Sequence, residues 1–116
     1  MRFLALAAAL AGCARAAHVA AVYSEGLALG SLACDAKSTS WAVGHGGSEN
    51  NPLMGSSPGT VTILSYFGVG GAGTVLANRH LPDGLRVVLN SAIVIGEVWA
   101  VSSNQSWEPV CGLGDR

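Results

Sequence analysis

Two long apolar runs occupy the second half of the chain. Residues 59–78 contain no charged side chain, and residues 87–104 are interrupted by Asn90 and Glu97. A helix needs about 20 apolar residues to cross the hydrocarbon core of a bilayer. The pattern therefore predicts two membrane spans, near residues 59–78 and 87–104. A tight turn at residues 81–84 would join them as an antiparallel hairpin.

A third helix is predicted upstream, between residues 24 and 43, with Ser24 and Glu25 at its start. Apolar side chains recur there at the intervals of one helix face, and they are Leu27, Ala28, Leu32 and Ala36. The stretch GHGGSENNPLMGSSP at residues 44–58 is rich in Gly, Asn, Ser and Pro and predicts a loop. Thr60 is expected to cap the helix that follows.

The first twelve residues have the composition of an export signal. A short positive segment, Met1 and Arg2, precedes an apolar segment rich in Leu and Ala. The sequence LAGC at residues 10–13 resembles the lipobox of bacterial lipoproteins, in which the Cys thiol receives diacylglycerol. We therefore expect residues 1–12 to be removed and Cys13 to become a lipidated first residue. Ordinary cleavage after residues 14–16 and an uncut helical anchor are the alternatives.

The composition favours a membrane over water. Apolar residues make up 50% of the 116 residues and charged residues 11%, whereas soluble domains carry about 25% charged residues. The 16 glycines suit closely packed membrane helices. The net charge is −1 and no basic cluster occurs, so binding to nucleic acid is not expected. We predict a single all-α membrane domain, a small helical bundle, at residues 13–116.

The connection between the two spans predicts the orientation of the hairpin. Its cationic or protonatable side chains are Arg79, His80 and Arg86, and its acidic side chain is Asp83. An excess of Arg in short loops marks the cytoplasmic side, so the turn is expected in the cytoplasm. The helix at residues 24–43 would then lie along the interface or pack against the hairpin. An uncut anchor would instead give four spans and a turn on the outside.

Polar side chains recur at helical spacing within each predicted helix. They are Ser31, Asp35, Ser38 and Thr39 on the first helix, Thr62, Tyr66 and Thr74 on the second, and Arg86, Asn90 and Glu97 on the third. An ionisable group that faces lipid is costly, so Asp35 and Glu97 are expected to point inward. Their candidate partners are Lys37, Tyr66, Asn90 and Arg86. These stripes either fix the helix register or form a path for protons or ions.

Motifs for bound cofactors are weak. The sequence GVGGAG at residues 68–73 matches G-x-G-x-x-G, but the chain is too short for the sheet that a dinucleotide site requires. We interpret it as a glycine-rich face of a membrane helix, and no nucleotide is expected. The histidines lie at no metal-ligand spacing with the cysteines, and they are His18, His45 and His80. Neither a metal, nor another cofactor, nor an enzymatic activity is predicted.

The cysteines predict one disulfide. The chain contains three of them, and lipidation of Cys13 would leave Cys34 and Cys111 as a single pair. Both would face the outer, oxidising compartment in the hairpin topology, which favours a bond between them. Two free thiols are the alternative, since Cys is also a common small apolar residue in helices.

One stretch resembles a pattern found in small bacterial and phage membrane proteins of unknown function. Those proteins carry Asp and a Thr/Ser pair on one helix, then Glu-x-Asn-Pro-Leu-Met-Gly, then two hydrophobic spans with a late Asn. Here the matching features are CDAKSTS at residues 34–40, with Asp35 and Thr39, and ENNPLMG at residues 49–55, with Glu49, Asn50 and Asn51; Asn90 or Asn104 fills the last position. Lys37 and Ser38 between Asp35 and Thr39 depart from the pattern. The resemblance implies a membrane location and no particular activity.

These observations predict an exported protein of a bacterial membrane or envelope. Its partners would be membrane lipid and either another membrane protein or a second copy of itself, which it would bind or organise. The alternative is a small transport or pore-forming component that uses buried Asp35 and Glu97.

Overall fold

Three α-helices make up the regular structure of the protein. The computed structural model describes residues 2–47, 53–55 and 57–103, with side chains from residue 10 to residue 102 within those ranges. The helices are α1 at Arg2–Gly44, α2 at Thr60–His80 and α3 at Asp83–Ser103. The described residues contain no strand, which confirms the predicted all-α helical bundle.

The first helix is longer than the sequence predicts. A helix start at Ser24 is wrong, because α1 continues without a break from Arg2 to Gly44. The Ser24 hydroxyl donates a hydrogen bond to the Ala21 carbonyl of the preceding turn, 2.9 Å away, and caps no helix end. No proline interrupts this Ala-rich segment, and Ala has the highest helix propensity. At 1.5 Å per residue, α1 is about 64 Å long.

The carboxyl end of α1 coincides with the predicted loop start. Gly46 has a φ of 81°, in the left-handed region. The Gly47 N–H donates to the Ala42 carbonyl at 2.8 Å, and the Gly46 N–H donates to the Val43 carbonyl at 3.3 Å. These two bonds form a Schellman motif, which satisfies the last carbonyls of a helix. The glycines of the loop sequence therefore terminate α1.

The second helix matches the first predicted span with slightly shifted ends. The prediction that Thr60 caps α2 is wrong, because Thr60 is already the first helical residue. The cap position is Gly59, which has extended backbone angles and makes no side-chain capping bond. The helix continues to His80, two residues beyond the predicted end at residue 78.

The predicted four-residue turn is shorter in the structure. Only Leu81 and Pro82 separate α2 from α3, which begins at Asp83 instead of residue 87. The Pro82 carbonyl accepts hydrogen bonds from the N–H groups of Leu85 and Arg86, at 2.9 and 3.0 Å. The Asp83 carboxylate in the first turn also stabilises the positive end of the helix dipole. Asp83 and Gly84 are consequently helical.

The direction of α3 follows from its contacts with α1. Successive positions along α1 meet successive positions along α3, so the two helices run parallel. The contacts are His18 with Asp83 at 3.4 Å, Glu25 with Arg86 at 2.9 Å, and the core around Leu32 with Ile93.

The direction of α2 is opposite to that of α1. A Cβ added at Gly71 would lie 3.9 Å from Leu29, and one added at Gly70 would lie 3.7 Å from Leu32. Later positions of α2 thus lie beside earlier positions of α1. Both α2 and α3 pack mainly on α1 and contact each other sparsely. The hairpin is therefore held together by α1 as well as by its own turn.

The interior of the bundle combines a small apolar core, around Leu32, Ile63 and Phe67, with an unusually large share of polar side chains. The buried polar side chains are Asp35, Ser38, Thr39, Thr74, Asn78 and Asn90. Large apolar side chains lie outside, such as Val61 at 78% exposure and Trp99 at 71%. Helices α2 and α3 are long and apolar enough to cross a bilayer, and only 17% and 6% of their apolar windows are buried. They are therefore not core helices of the described fold.

Candidate functional site: a polar helix junction and a lateral cleft

Two buried asparagines join α2 to α3 close to the turn. The Asn78 side-chain amide donates to the Asn90 carbonyl oxygen, and the Asn90 amide donates back to Asn78, each at 2.9 Å. Asn90 also donates to the Ser24 hydroxyl on α1 at 3.1 Å. Asn90 is completely buried, so these bonds satisfy an amide that would otherwise be costly to bury. They connect all three helices.

Arg86 extends this network toward the end of the bundle. Its guanidinium donates to Glu25 on α1 at 2.9 Å, to Asp83 at 3.0 Å and to Asn78 on α2 at 3.2 Å. Its side chain is only 13% exposed, and each of its three guanidinium nitrogens donates one hydrogen bond. Residues Ser24, Glu25, Asn78, Asp83, Arg86 and Asn90 are hereafter the helix junction. The exposed His18 of α1 contacts Asp83 of this helix junction.

A second polar group lies on the inner face of α1, farther from the turn. Asp35, Ser38 and Thr39 are buried, and the Ser38 hydroxyl contacts both the carbonyl and the carboxylate of Asp35, at 3.0 and 3.2 Å. On α2, Thr74 is buried as well, and its hydroxyl donates to the Gly70 carbonyl at 2.9 Å. Each predicted polar stripe thus has at least one buried member, whereas Thr62 of the α2 stripe is exposed.

An open cleft of ≈ 800 Å³ lies between α2 and α3 in the part of the bundle that is remote from the turn. Leu32 of α1 forms part of its lining, and Val69 of α2 and Ile93 of α3 line its two sides. The polar lining includes Tyr66 and Glu97, a half-buried residue whose carboxylate oxygen Oε2 is buried. The cleft exists because α2 and α3 are tied together near the turn and have few contacts beyond it.

The predicted partners of the two inward carboxylates are mostly engaged elsewhere. Arg86 and Asn90 belong to the helix junction. Lys37 lies on the exposed face of α1 and Asp35 on its buried face. Tyr66 is the predicted partner that shares a site with Glu97, because both line the cleft.

The cysteines fall into two chemical states. Cys13 has a free and exposed thiol, whereas Cys34 is disulfide-bonded. Cys111 lies outside the described residues, so its predicted pairing with Cys34 stays a prediction. The same holds for the predicted site residues Glu49, Asn50 and Asn51, which also lie outside them.

The glycine motif has no phosphate-binding geometry. Such a site needs glycines in a loop just before a helix start, where free N–H groups point at the ligand. Residues 68–73 lie inside α2, more than two turns after its start at Thr60. Within the described residues there is also no group of three or more His, Cys, Asp or Glu side chains that could hold a metal ion.

Sequence reasoning did not identify Asn78, Glu25 or Asp83 as members of a site. Asn78 follows Thr74 by one turn and continues its stripe, so the spacing contained the signal. The sequence context predicts a helix start for Glu25 and a turn for Asp83. Their role depends on Arg86, which reaches them across the packed helices.

The chain matches no protein-family model, no curated protein and no solved structure to which it was compared. The resemblance to small bacterial and phage membrane proteins therefore stays a prediction, and function has to be argued from the geometry.

Proposed function

We propose that this chain is a membrane protein whose three helices cross the bilayer together and that it acts by binding another helix in its lateral cleft. The exposed apolar surfaces of α2 and α3 support the first part, because lipid-facing surfaces are apolar while polar groups join helices inside. The helix junction satisfies Arg86, Asn78 and Asn90 within the bundle, as a low-dielectric environment requires.

The direction of α1 determines which groups share a side of the membrane. Because α1 is antiparallel to α2, the amino end of α1 lies at the turn end of the bundle. Cys13 and the turn would then be on the same side. Lipidation of Cys13 on the outer surface and a turn in the cytoplasm exclude each other in a bundle of three crossing helices.

Charge and thiol chemistry both favour a cytoplasmic turn end with an uncut α1. Arg15, Arg79 and Arg86 all lie toward this end, which the positive-inside rule assigns to the cytoplasm. The free thiol of Cys13 suits that reducing compartment. The disulfide-bonded Cys34 lies in the other half of the bundle, toward the oxidising side. In this proposal Cys13 is a cytoplasmic thiol and not a lipid anchor.

The cleft is the observation that carries the binding function. Its lining is mainly apolar and contains Glu97, and because most lining residues lie along the flank of α2 from Val61 to Thr74, we infer that it opens sideways. In a bilayer a sideways opening faces lipid, where a carboxylate is costly. A helix that fills the cleft would cover this carboxylate and gain packing contacts. An α-helix with its side chains is about 10 Å wide, so one face of it can enter such an opening.

A photoreactive amino acid at Val69 tests this proposal in intact cells. Val69 lines the cleft, whereas Val88 is similarly exposed on α3 and lies outside it, which makes Val88 the matched control. We expect a discrete protein adduct from position 69 and none from position 88. Ser65→Phe, which adds bulk to the cleft lining, should abolish the adduct. Lipid adducts alone at both positions would contradict a protein-binding cleft.

A second candidate function is the transfer of protons or ions. The inward orientation of Asp35, Thr74 and Asn90 from three different helices, with Glu97 at the cleft, favours it. Vesicles that contain the purified protein should then show a cation or proton flux that Glu97→Gln removes. A flux equal to that of empty vesicles would exclude this function.

A further inference from the structure

Lys37 is an exposed cation on α1, the helix that packs against the two apolar helices α2 and α3. It makes no ion pair with the described residues. Successive residues of an α-helix are rotated by about 100°, which places Lys37 roughly opposite to the buried Ala28, Asp35 and Thr39. It therefore points away from the cleft and cannot reach Glu97 of its own chain.

Lys37 and Glu97 nevertheless lie at the same depth of the bundle. Leu32 and Ile93 both line the cleft and belong to one apolar core, and α1 and α3 run parallel. Lys37 follows Leu32 by five residues and Glu97 follows Ile93 by four, which are rises of about 7.5 and 6 Å. Two copies inserted in one orientation would hold these groups in register.

The surface around Lys37 allows a neighbouring helix to approach closely. In the two to three turns before Lys37, the exposed residues on its face are the small Gly26, Gly30 and Ala33, and larger side chains flank this segment at Tyr23 and Trp41. Small residues let helix backbones pack closely in a membrane. The segment of this face from Gly26 to Ala33 is therefore narrow enough to enter an opening between two splayed helices.

We propose that the cleft binds a second copy of this chain, with the α1 face around Lys37 inserted and the Lys37 ammonium paired with Glu97 of the cleft. This inference rests on the proposed function and names its partner. A carboxylate accepts several hydrogen bonds, so Glu97 can receive an ammonium in addition to contacts in its own chain. The two surfaces differ, so the contact is head-to-tail and builds a ring or a chain of copies.

Fluorescence resonance energy transfer between labelled copies of the chain tests this self-association. The full chain, labelled at Cys13 with donor or acceptor, is reconstituted into phosphatidylcholine vesicles at increasing dilution in lipid. We expect Lys37→Met and Glu97→Gln each to weaken association about tenfold or more. The matched control Arg79→Met removes an exposed cation at the other end of the bundle and should associate like the native protein.

Exchanging the charges at positions 37 and 97 distinguishes the loss of an ion pair between copies from the misfolding of a variant. Lys37→Glu and Glu97→Lys should each abolish self-association, while mixing the two variants, or combining them in one chain, should restore it. Native association by Lys37→Met would overturn the proposal, and would mean that the lysine reaches the headgroup region instead. Failure of the exchange to restore association would overturn it as well. A native protein that is monomeric in vesicles but forms an adduct with a different protein from position 69 would overturn only the self-association.

Discussion

At the residue scale, the main finding is that each strongly polar group of the helix junction has a partner on another helix. Arg86 contacts α1 through Glu25 and α2 through Asn78. Asn90 contacts the same two helices through Ser24 and Asn78. A polar group in an apolar environment keeps its hydrogen bonds because no solvent replaces them. The junction therefore fixes the rotation and depth of the helices.

Removing the Asn90 amide should destabilise the bundle. Asn90→Ala leaves Asn78 and Ser24 each without one hydrogen-bond partner, and we expect a loss of about 1–2 kcal/mol of unfolding free energy. Titration with denaturing detergent, followed by circular dichroism, measures it. The control Ser91→Ala changes an exposed neighbour and should stay within about 0.5 kcal/mol.

Coupling between the two asparagines can be measured separately. Because Asn78 and Asn90 bond each other in both directions, the double variant to Ala should cost less than the sum of the single variants. Strict additivity would mean that the pair does not form in the membrane.

At the element scale, the glycine-rich segment of α2 and the continuity of α1 matter most. Gly70 and Gly71 face leucines of α1, whereas Gly68 and Gly73 have no atom within 4 Å of an added Cβ. Close approach of α1 therefore does not require glycine in this segment. In α1, the Ser24 hydroxyl donates to a carbonyl of the preceding turn, and the helix start predicted at Ser24 does not occur.

Alanine should be tolerated in the glycine-rich segment. A Cβ at Gly70 would meet Leu32 at 3.7 Å, an ordinary van der Waals contact. Gly70→Ala is therefore expected to stabilise α2 by up to about 1 kcal/mol through helix propensity. Gly68→Ala, at an open position, is the matched control and should behave alike. A large loss of stability only at position 70 would indicate tighter packing of α1 on α2.

At the scale of the whole molecule, the parallel arrangement of α1 and α3 places Cys13 and the turn at one end and the α1–α2 connection at the other. Residue 57 belongs to that connection and Gly84 to the turn end, and both are exposed. This polarity makes the membrane orientation measurable with two introduced thiols.

Thiol labelling should distinguish the two ends. With Cys13 replaced by Ser, Ser57→Cys should react with a membrane-impermeant maleimide in intact cells, and Gly84→Cys only after permeabilisation. This follows from the cationic turn end. The reverse labelling pattern would place the turn outside and bring back lipidation of Cys13.

Counting thiols in the whole chain tests the state of all three cysteines together. Without reductant, denatured protein should take up one maleimide, at Cys13, and three after reduction. Three adducts before reduction would contradict the disulfide of Cys34. The lipoprotein alternative predicts a different result. The protein would take up no maleimide before reduction, and its mass would show an acyl modification and the loss of residues 1–12.

The sequence by itself determined that the chain forms three helices with polar positions on their inner faces, but not where α1 and α3 begin. Twenty-residue apolar runs, the loop glycines and the spacing of Asp35, Thr39, Asn90 and Glu97 are local properties, and local hydrogen bonding and periodicity dictate helices from them. Only the tertiary structure decided which groups meet. The direction of α1, the pairing of Arg86 with Glu25 across 61 residues and the cleft beside Glu97 depend on how three helices pack. Such contacts between distant positions leave no periodic signal in one sequence, because many packings satisfy the same apolar faces.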